Sequence, residues 1–365
     1  MKSRTAMLAI VMAAAFFSAF LTSAAAQTAS NSVSGSIPEK SQQVRAASLS
    51  LSALESPSEV ARELSNPECD GKGNLYFDTW PDGVQAIHKL NANGERLGTF
   101  LPDAPGVKVD MPLSFSIGPN GDIYQLIHGH DGRYVFVYGE NGGIKSVVKL
   151  HPGFKFKPSR VVPFASGDLL VVGLEYDKDR NNPVMWPFTA IFSSEGVLKK
   201  ELDLADDEEI HSLASSGDPR VVPGGQPSVN AAVQGGTAKV AKDGNVYLMR
   251  RLAPAIVYSI STKGDVRRFT VDPGRPGYMP GVGSGAMQIS GDRIAIPFFP
   301  SQTGETIIKI VDLNGHEIAT YSGPDEGAKP NLGMGFACYT SQPAKLTFLG
   351  MAEDHKLQLI SASPN

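Results

Sequence analysis

Between Leu113 and Leu150 the chain reads as four short runs of β-forming residues, LSFSI, DIYQLI, RYVFVY and IKSVVKL, separated by GPNG, HGHDG and GENGG. Runs such as YVFVY (134–138), AIVYSI (255–260) and TIIKIV (306–311) are almost wholly apolar, the pattern of strands covered on both faces. ASLSLSAL (47–54) instead alternates apolar and polar with a period of two, the pattern of a strand covered on one face. Helical spacing sustained over more than two turns is found nowhere beyond the N-terminal run.

The four-run unit repeats. A glycine preceding or within a turn, followed by Asn or Asp and β-formers, recurs at Gly73, Gly121, Gly167, Gly244 and Gly291, at spacings of 48, 46, 77 and 47 residues. A second turn follows each, ending at Gly94, Gly142, Gly196, Gly264 and Gly315. Two glycine turns per unit imply two hairpins and so four strands, and a four-stranded antiparallel unit of about 45 residues repeated around an axis is a β-propeller blade. The last unit offers only GFACY, KLTFLG and KLQLISA before Asn365. The alternating strand at 47–54 is expected to supply its missing fourth strand, which closes a six-bladed ring and removes open sheet edges. The all-β propeller is thus expected over 46–365, with an insertion at 205–236 that accounts for the one long spacing.

The N-terminus adds an address. Lys2 and Arg4 precede an apolar run from Ala6 to Leu21 and a small-residue stretch, Ala24 to Ala26, which together read as a secretory signal peptide over 1–26. Residues 27–45 are polar and Ser- and Gln-rich, a flexible leader. The expected location is periplasmic or extracellular, and no other segment is apolar enough to span a membrane. Loss of Lys2 and Arg4 leaves 31 basic against 37 acidic residues, a net charge of -6 where the whole chain has -4. Such a surface argues against nucleic acid as a partner.

Cys69 and Cys338 are the only cysteines, and both fall late in the innermost strand of the first and last blades. A disulfide there would lock the ring if the two strands approach within the Cα separation a disulfide needs; two unpaired buried thiols are the alternative. A closed ring is read as a monomer.

The DGNVYL and PNGDIY turns, the four-strand units and the N-terminal closing strand resemble exported six-bladed propellers of the TolB-like or NHL-repeat kind. The resemblance implies a ligand face formed by the loops that join strands two and three of each blade and those that join one blade to the next. On that face it collects Trp80, Lys157, Arg160, Arg250, Arg251 and Tyr278 as ligand-binding candidates, with Arg160 near the mouth of the central channel. A cationic cluster there would bind a carboxylate or phosphate, with arginine offering a bidentate fork; solvated loop charges are the alternative.

The same face receives His128, His130 and His151, an i, i+2 pair plus a third histidine that match three ligands of an open metal site. HGHDG also aligns with WPDGV of the first unit, where Asp-Gly simply makes a turn. G-x-S-x-G, H-E-x-x-H and Walker motifs are absent. The expected function is therefore a ligand- or protein-binding scaffold. The alternative is a metal-dependent lactonase, lyase or hydrolase with its site at the channel mouth, as in related six-bladed enzymes, although an inward ring of Glu, Asn and Asp is not apparent.

Overall fold

The turn glycines organise the chain as their spacing predicts. In the computed structural model both series, Gly73 to Gly291 and Gly94 to Gly315, have positive φ, between 61° and 91°, which an L side chain adopts only with strain. Each closes a hairpin. The structure describes residues 46–60, 65–79, 85–176, 185–207, 229–234, 236–281, 287–300, 304–325, 335–351 and 356–364, all within one compact unit spanning Val44–Asn365.

The chain opens with β1 (Ala46–Val60). Blade 1 is β2 (Ser65–Cys69), β3 (Leu75–Thr79), β4 (Ala86–Leu90) and β5 (Arg96–Phe100); blade 2 is β6 (Val109–Ile117), β7 (Ile123–Gly129), β8 (Gly132–Tyr138) and β9 (Ile144–Lys149). Blade 3 is β10 (Phe156–Pro163), β11 (Leu169–Tyr176), β12 (Met185–Phe192) and β13 (Leu198–Glu201). Blade 4 is β14 (Thr237–Val240), β15 (Val246–Arg250), β16 (Ala255–Ile260) and β17 (Val266–Val271). In blade 5 the inner strand is split into β18 (Tyr278–Pro280) and β19 (Gln288–Ser290), followed by β20 (Arg293–Pro300), β21 (Glu305–Asp312) and β22 (Glu317–Asp325). Blade 6 is β23 (Phe336–Ser341), β24 (Ala344–Met351) and β25 (Lys356–Pro364), completed by β1.

The closing strand does more than fill a vacancy. From Leu49 onward β1 pairs antiparallel with β25, while Ala46, Ala47 and Ser48 pair in parallel with Thr320, Tyr321 and Ser322 of β22, so one strand joins blades 5 and 6 into a single sheet. The inner strands touch in the order β2, β6, β10, β14, β19 and β23, and β23 meets β2 again, which closes the ring.

The core lies between blades, and blade 3 shows why its strands carry no polar face. Val161 of β10 with Leu169 and Val171 of β11 pack toward blade 2. Val162, Leu170 and Val172, the alternate positions, pack toward blade 4. Both faces are thus buried, as continuous apolar runs require.

Two further links hold the ring. Cys69 and Cys338 form a disulfide between β2 and β23 with a Cα separation of 5.3 Å, inside the range the bond needs. Glu68 of β2 and Lys239 of β14 form an ion pair between blades 1 and 4, with only 11% of each side chain exposed. These blades stand opposite in a ring of six, so the pair crosses the central channel.

The insertion contains what sequence periodicity did not anticipate, a helix, α1 (Val229–Gln234). Six residues are too few to leave a 3.6-residue apolar signature. Its inward residues Ala232 and Val233 join the core between blades 3 and 4.

Candidate functional site

The site begins with an irregularity in β10. Lys157 pairs with Leu174 and Pro158 with Gly173, but Arg160 pairs with Val172, so Ser159 is an extra residue, a β-bulge. In a regular strand residues three apart point to opposite faces. The bulge cancels that parity and puts Lys157 and Arg160 on one face of β10, the face of Val162 toward α1 and blade 4, and both line one cavity at this edge of the strand. Gly173 makes the bulge feasible: a Cβ there would collide with the backbone of Lys157 and Pro158.

That cavity has a volume of about 480 Å³ and lies between blades 2 and 3. Ser159, Lys157 and Arg160 form one wall; Ser114, His128 and Arg133 come from blade 2, and Gln234 comes from the end of α1. Met111, Leu113 and Pro158 supply apolar surface. None of the described residues that line it is Asp or Glu.

Arg160 is 7% exposed, and its Nε–H donates to the carbonyl of Gly236, just beyond α1. Burial pulls its guanidinium down to about 10, which still leaves it charged at neutral pH. Lys157 is exposed at the rim. Neither has an ion-pair partner among the described residues. Ser114 Oγ donates to the carbonyl of Ser159 at 2.6 Å and so braces the bulge from blade 2. His128 is held below the usual imidazole range, first by burial and then by the positive charge of Arg133, against an opposing pull from Asp110. It faces the cavity as a neutral ring, able to donate on one nitrogen and accept on the other.

The remaining candidates go elsewhere. HGHDG is a two-residue hairpin turn, closed by the pairing of Gly129 with Gly132. His130 is exposed with Nδ1 3.9 Å from Asp110, and Asp131 accepts from Tyr134 Oη and Lys149 Nζ, both at 2.7 Å. His151 does not join His128: its amide donates to the carbonyl of Gly196 at 2.8 Å, and it bridges to Val197 in a turn of blade 3. The reason is general to this ring, because the turns at Gly142, Gly196, Gly264 and Gly315 each rest on the outgoing end of the preceding blade's outer strand. Among the described residues no three His, Cys, Asp or Glu come together to hold a metal ion.

Arg250, expected at a ligand face, is instead wholly buried. Its Nη2–H donates to Asp207 at 2.8 Å and lies 3.5 Å from Thr189 Oγ1. Burial raises the Asp207 carboxyl to about 6 against the lowering influence of Arg250, and Asp206 accepts from the hydroxyl of Tyr258. This cluster pins the start of the insertion. Arg251 pins its end, through an amide that donates to Ala232 at 3.1 Å. Tyr278 lines a different cavity of about 620 Å³ with Arg275. That cavity is larger, but its walls are mainly the proline- and glycine-rich stretch 272–279, and its one cation stands in a wall that also holds Asp272. Trp80 lies outside the described residues.

Sequence reasoning placed Lys157, Arg160 and His128 on the site and missed Arg133, Ser114 and Gln234. The glycine inside LLVVGLEY, Gly173, was the available signal, since a lone glycine in a strand marks a bulge or a close backbone approach.

The fold is a six-bladed β-propeller. No family model matches the sequence, and no curated protein does. Among solved structures the chain is similar to an exported-protein candidate from Bacteroides fragilis, with 12% identity, 87% of this chain and 95% of that one covered, and a TM-score of 0.52. It is also similar to a member of the DUF4221 family from Bacteroides vulgatus, with 8% identity, 87% and 97% covered, and a TM-score of 0.50. The Dos1 propeller aligns at 13% identity over 85% of this chain and 82% of that one, with a TM-score of 0.41. At these identities the likeness is one of fold alone.

Proposed function

We propose that this propeller is an exported binding protein that takes a small anionic ligand in the cavity between blades 2 and 3. The carrying observation is Arg160: a guanidinium almost wholly removed from water that lines a cavity together with Lys157, with no carboxylate among the described residues of that lining. A buried cation without a counterion is costly, and an incoming carboxylate or phosphate would relieve that cost through charge-assisted hydrogen bonds. The acidic surface makes the cavity a local exception in sign, which favours anions there over the rest of the molecule.

Export rests on the charged, apolar and small-residue pattern of residues 1–26. No helix among the described residues is long and apolar enough to cross a membrane. The resemblance of the turns to TolB-like and NHL-repeat propellers fits a binding role, and the contents of the cavity fit it better than they fit bond-breaking chemistry.

The test is thermal denaturation of the mature chain with carboxylates, phosphate and matched neutral amides. Anions at 100 times their Kd should stabilise the fold by about 2.7 kcal/mol, neutral analogues should not, and Arg160→Gln should remove the effect. Equal response to amides and anions would overturn the reading.

A further inference from the structure

The geometry points to a ligand with two separated negative charges, and we propose that this cavity recognises a short linear dicarboxylate. This rests on the anion-binding reading above and narrows its chemistry. Lys157 and Arg160 are both cationic, and neither meets a carboxylate among the described residues. A monoanion would neutralise one and leave the other uncompensated.

The two charges also differ in depth. Arg160 lies at the floor, almost fully buried, whereas Lys157 is exposed at the rim. The bulge makes them successive residues of one strand face, so their Cα atoms stand about 7 Å apart, and their side chains end at different depths. Two cations placed at floor and rim suit a chain of four to six carbons with a carboxylate at each end better than the single centre of a phosphate or sulfate. Met111, Leu113 and Pro158, which line the same cavity, offer apolar contact to the methylenes between them. The planar fork of Arg160 would take the inner carboxylate through two parallel hydrogen bonds, and the point charge of Lys157 would hold the outer one.

Isothermal titration of the mature chain with succinate, glutarate and adipate, and with butyrate and inorganic phosphate, tests this. The expected result is that at least one dicarboxylate binds about tenfold or more tightly than butyrate and than phosphate. Lys157→Gln, a change at an exposed side chain whose folding a melt will verify, should shrink the dicarboxylate preference to less than about threefold. Butyrate binding as tightly as the dicarboxylates would overturn the two-charge inference while leaving anion binding in place. Phosphate binding more tightly than every dicarboxylate would overturn the separation of charges. Failure of every anion to bind would overturn this inference and the proposed function together.

Discussion

The ion pair across the channel makes a quantitative claim. Glu68 and Lys239 belong to opposite blades and are nearly excluded from water, and burial pushes the Lys239 ammonium below its usual value. Glu68→Gln removes the carboxylate that opposes that push. An unpaired Lys239 can still escape by losing its proton. The penalty at pH 7 is therefore capped at the cost of deprotonating an ordinary lysine at that pH, 10.5 − 7 or about 3.5 pH units, roughly 5 kcal/mol. Loss of one partner of a buried pair costs about 3 to 5 kcal/mol in general, so about 3 kcal/mol is expected for Glu68→Gln. The double variant Glu68→Gln/Lys239→Met removes the stranded charge, and should return to within about 1 kcal/mol of the parent. The assay is guanidinium denaturation of the four members of the cycle at pH 7, read as the shift in midpoint. A coupling energy below about 0.5 kcal/mol would show that the two side chains act independently and would refute a bridge across the channel. The pH dependence gives a second reading. Unfolded chains keep this lysine protonated up to about 10.5 and the folded chain only to a lower pH, because burial disfavours the ammonium. In that window the unfolded state binds more protons, so stability from this site rises with pH, by up to about 1.4 kcal/mol per unit. Lys239→Met should lack that slope.

Replacing Cys69 and Cys338 with serine opens a cross-link between residues 269 apart; loop-closure entropy sets the loss at up to about 5 kcal/mol, measured as a lower denaturation midpoint with far-ultraviolet dichroism retained. Gly196→Ala should cost well over 1 kcal/mol, because φ is +83° and the new Cβ meets the Lys149 backbone, whereas Gly244→Ala, with φ +80° and open space, should cost only about 1 kcal/mol in a melt. Gly173→Ala, which forces the Ser159 bulge outward, should abolish anion binding in calorimetry while the ring remains folded. Asp207, raised to about 6 by burial, holds its proton in the folded chain at pH values where the unfolded carboxyl has lost it. Its contribution to stability therefore falls as pH rises from about 4 to 6, and Asp207→Asn should remove that fall from the denaturation midpoints.

The fold was legible because a propeller blade writes itself locally. Each turn needs a residue that tolerates positive φ, so glycines recur at a fixed spacing, and the middle strands of each blade are covered on both faces, so apolar runs fill the intervals. The closing strand could be read for a related reason: the last unit runs out of chain one strand early, and the alternating segment at 47–54 had no blade of its own. The site was only half legible. Lys157 and Arg160 announce themselves as charges beside a blade junction, but their convergence depends on one extra residue in β10, which changes no composition and little periodicity. Arg250 shows the opposite failure. Its charge suggested a ligand face, while Asp206 and Asp207, partners more than forty positions away, turn it into a buried anchor. His151 falls away from His128 because the ends of outer strands rest on the next blade's turn, a contact between blades that no local pattern records.

These placements divide the molecule by the kind of constraint each part bears. The disulfide, the closing strand and the glycine turns all act on how blades meet, and each fails by opening the ring. The bulge, by contrast, alters one strand where it faces a neighbour, and Gly236 beyond α1 and Ser114 from blade 2 both bond to that same stretch. A cavity built this way can change its chemistry by exchanging Lys157 or Gln234 without touching ring closure. It cannot lose Gly173, because that glycine is where the requirement of the sheet for a continuous ladder and the requirement of the cavity for two cations on one face come into conflict. The insertion follows the same logic. Arg250 at its start and Arg251 at its end fix it to blade 4, while Ala232, Val233 and Gly236 hold it against blade 3, so that Gln234 reaches the cavity from a helix fastened on both sides. On the proposed anion-binding reading, specificity at this site is governed by the insertion and the bulge, and stability by the ring.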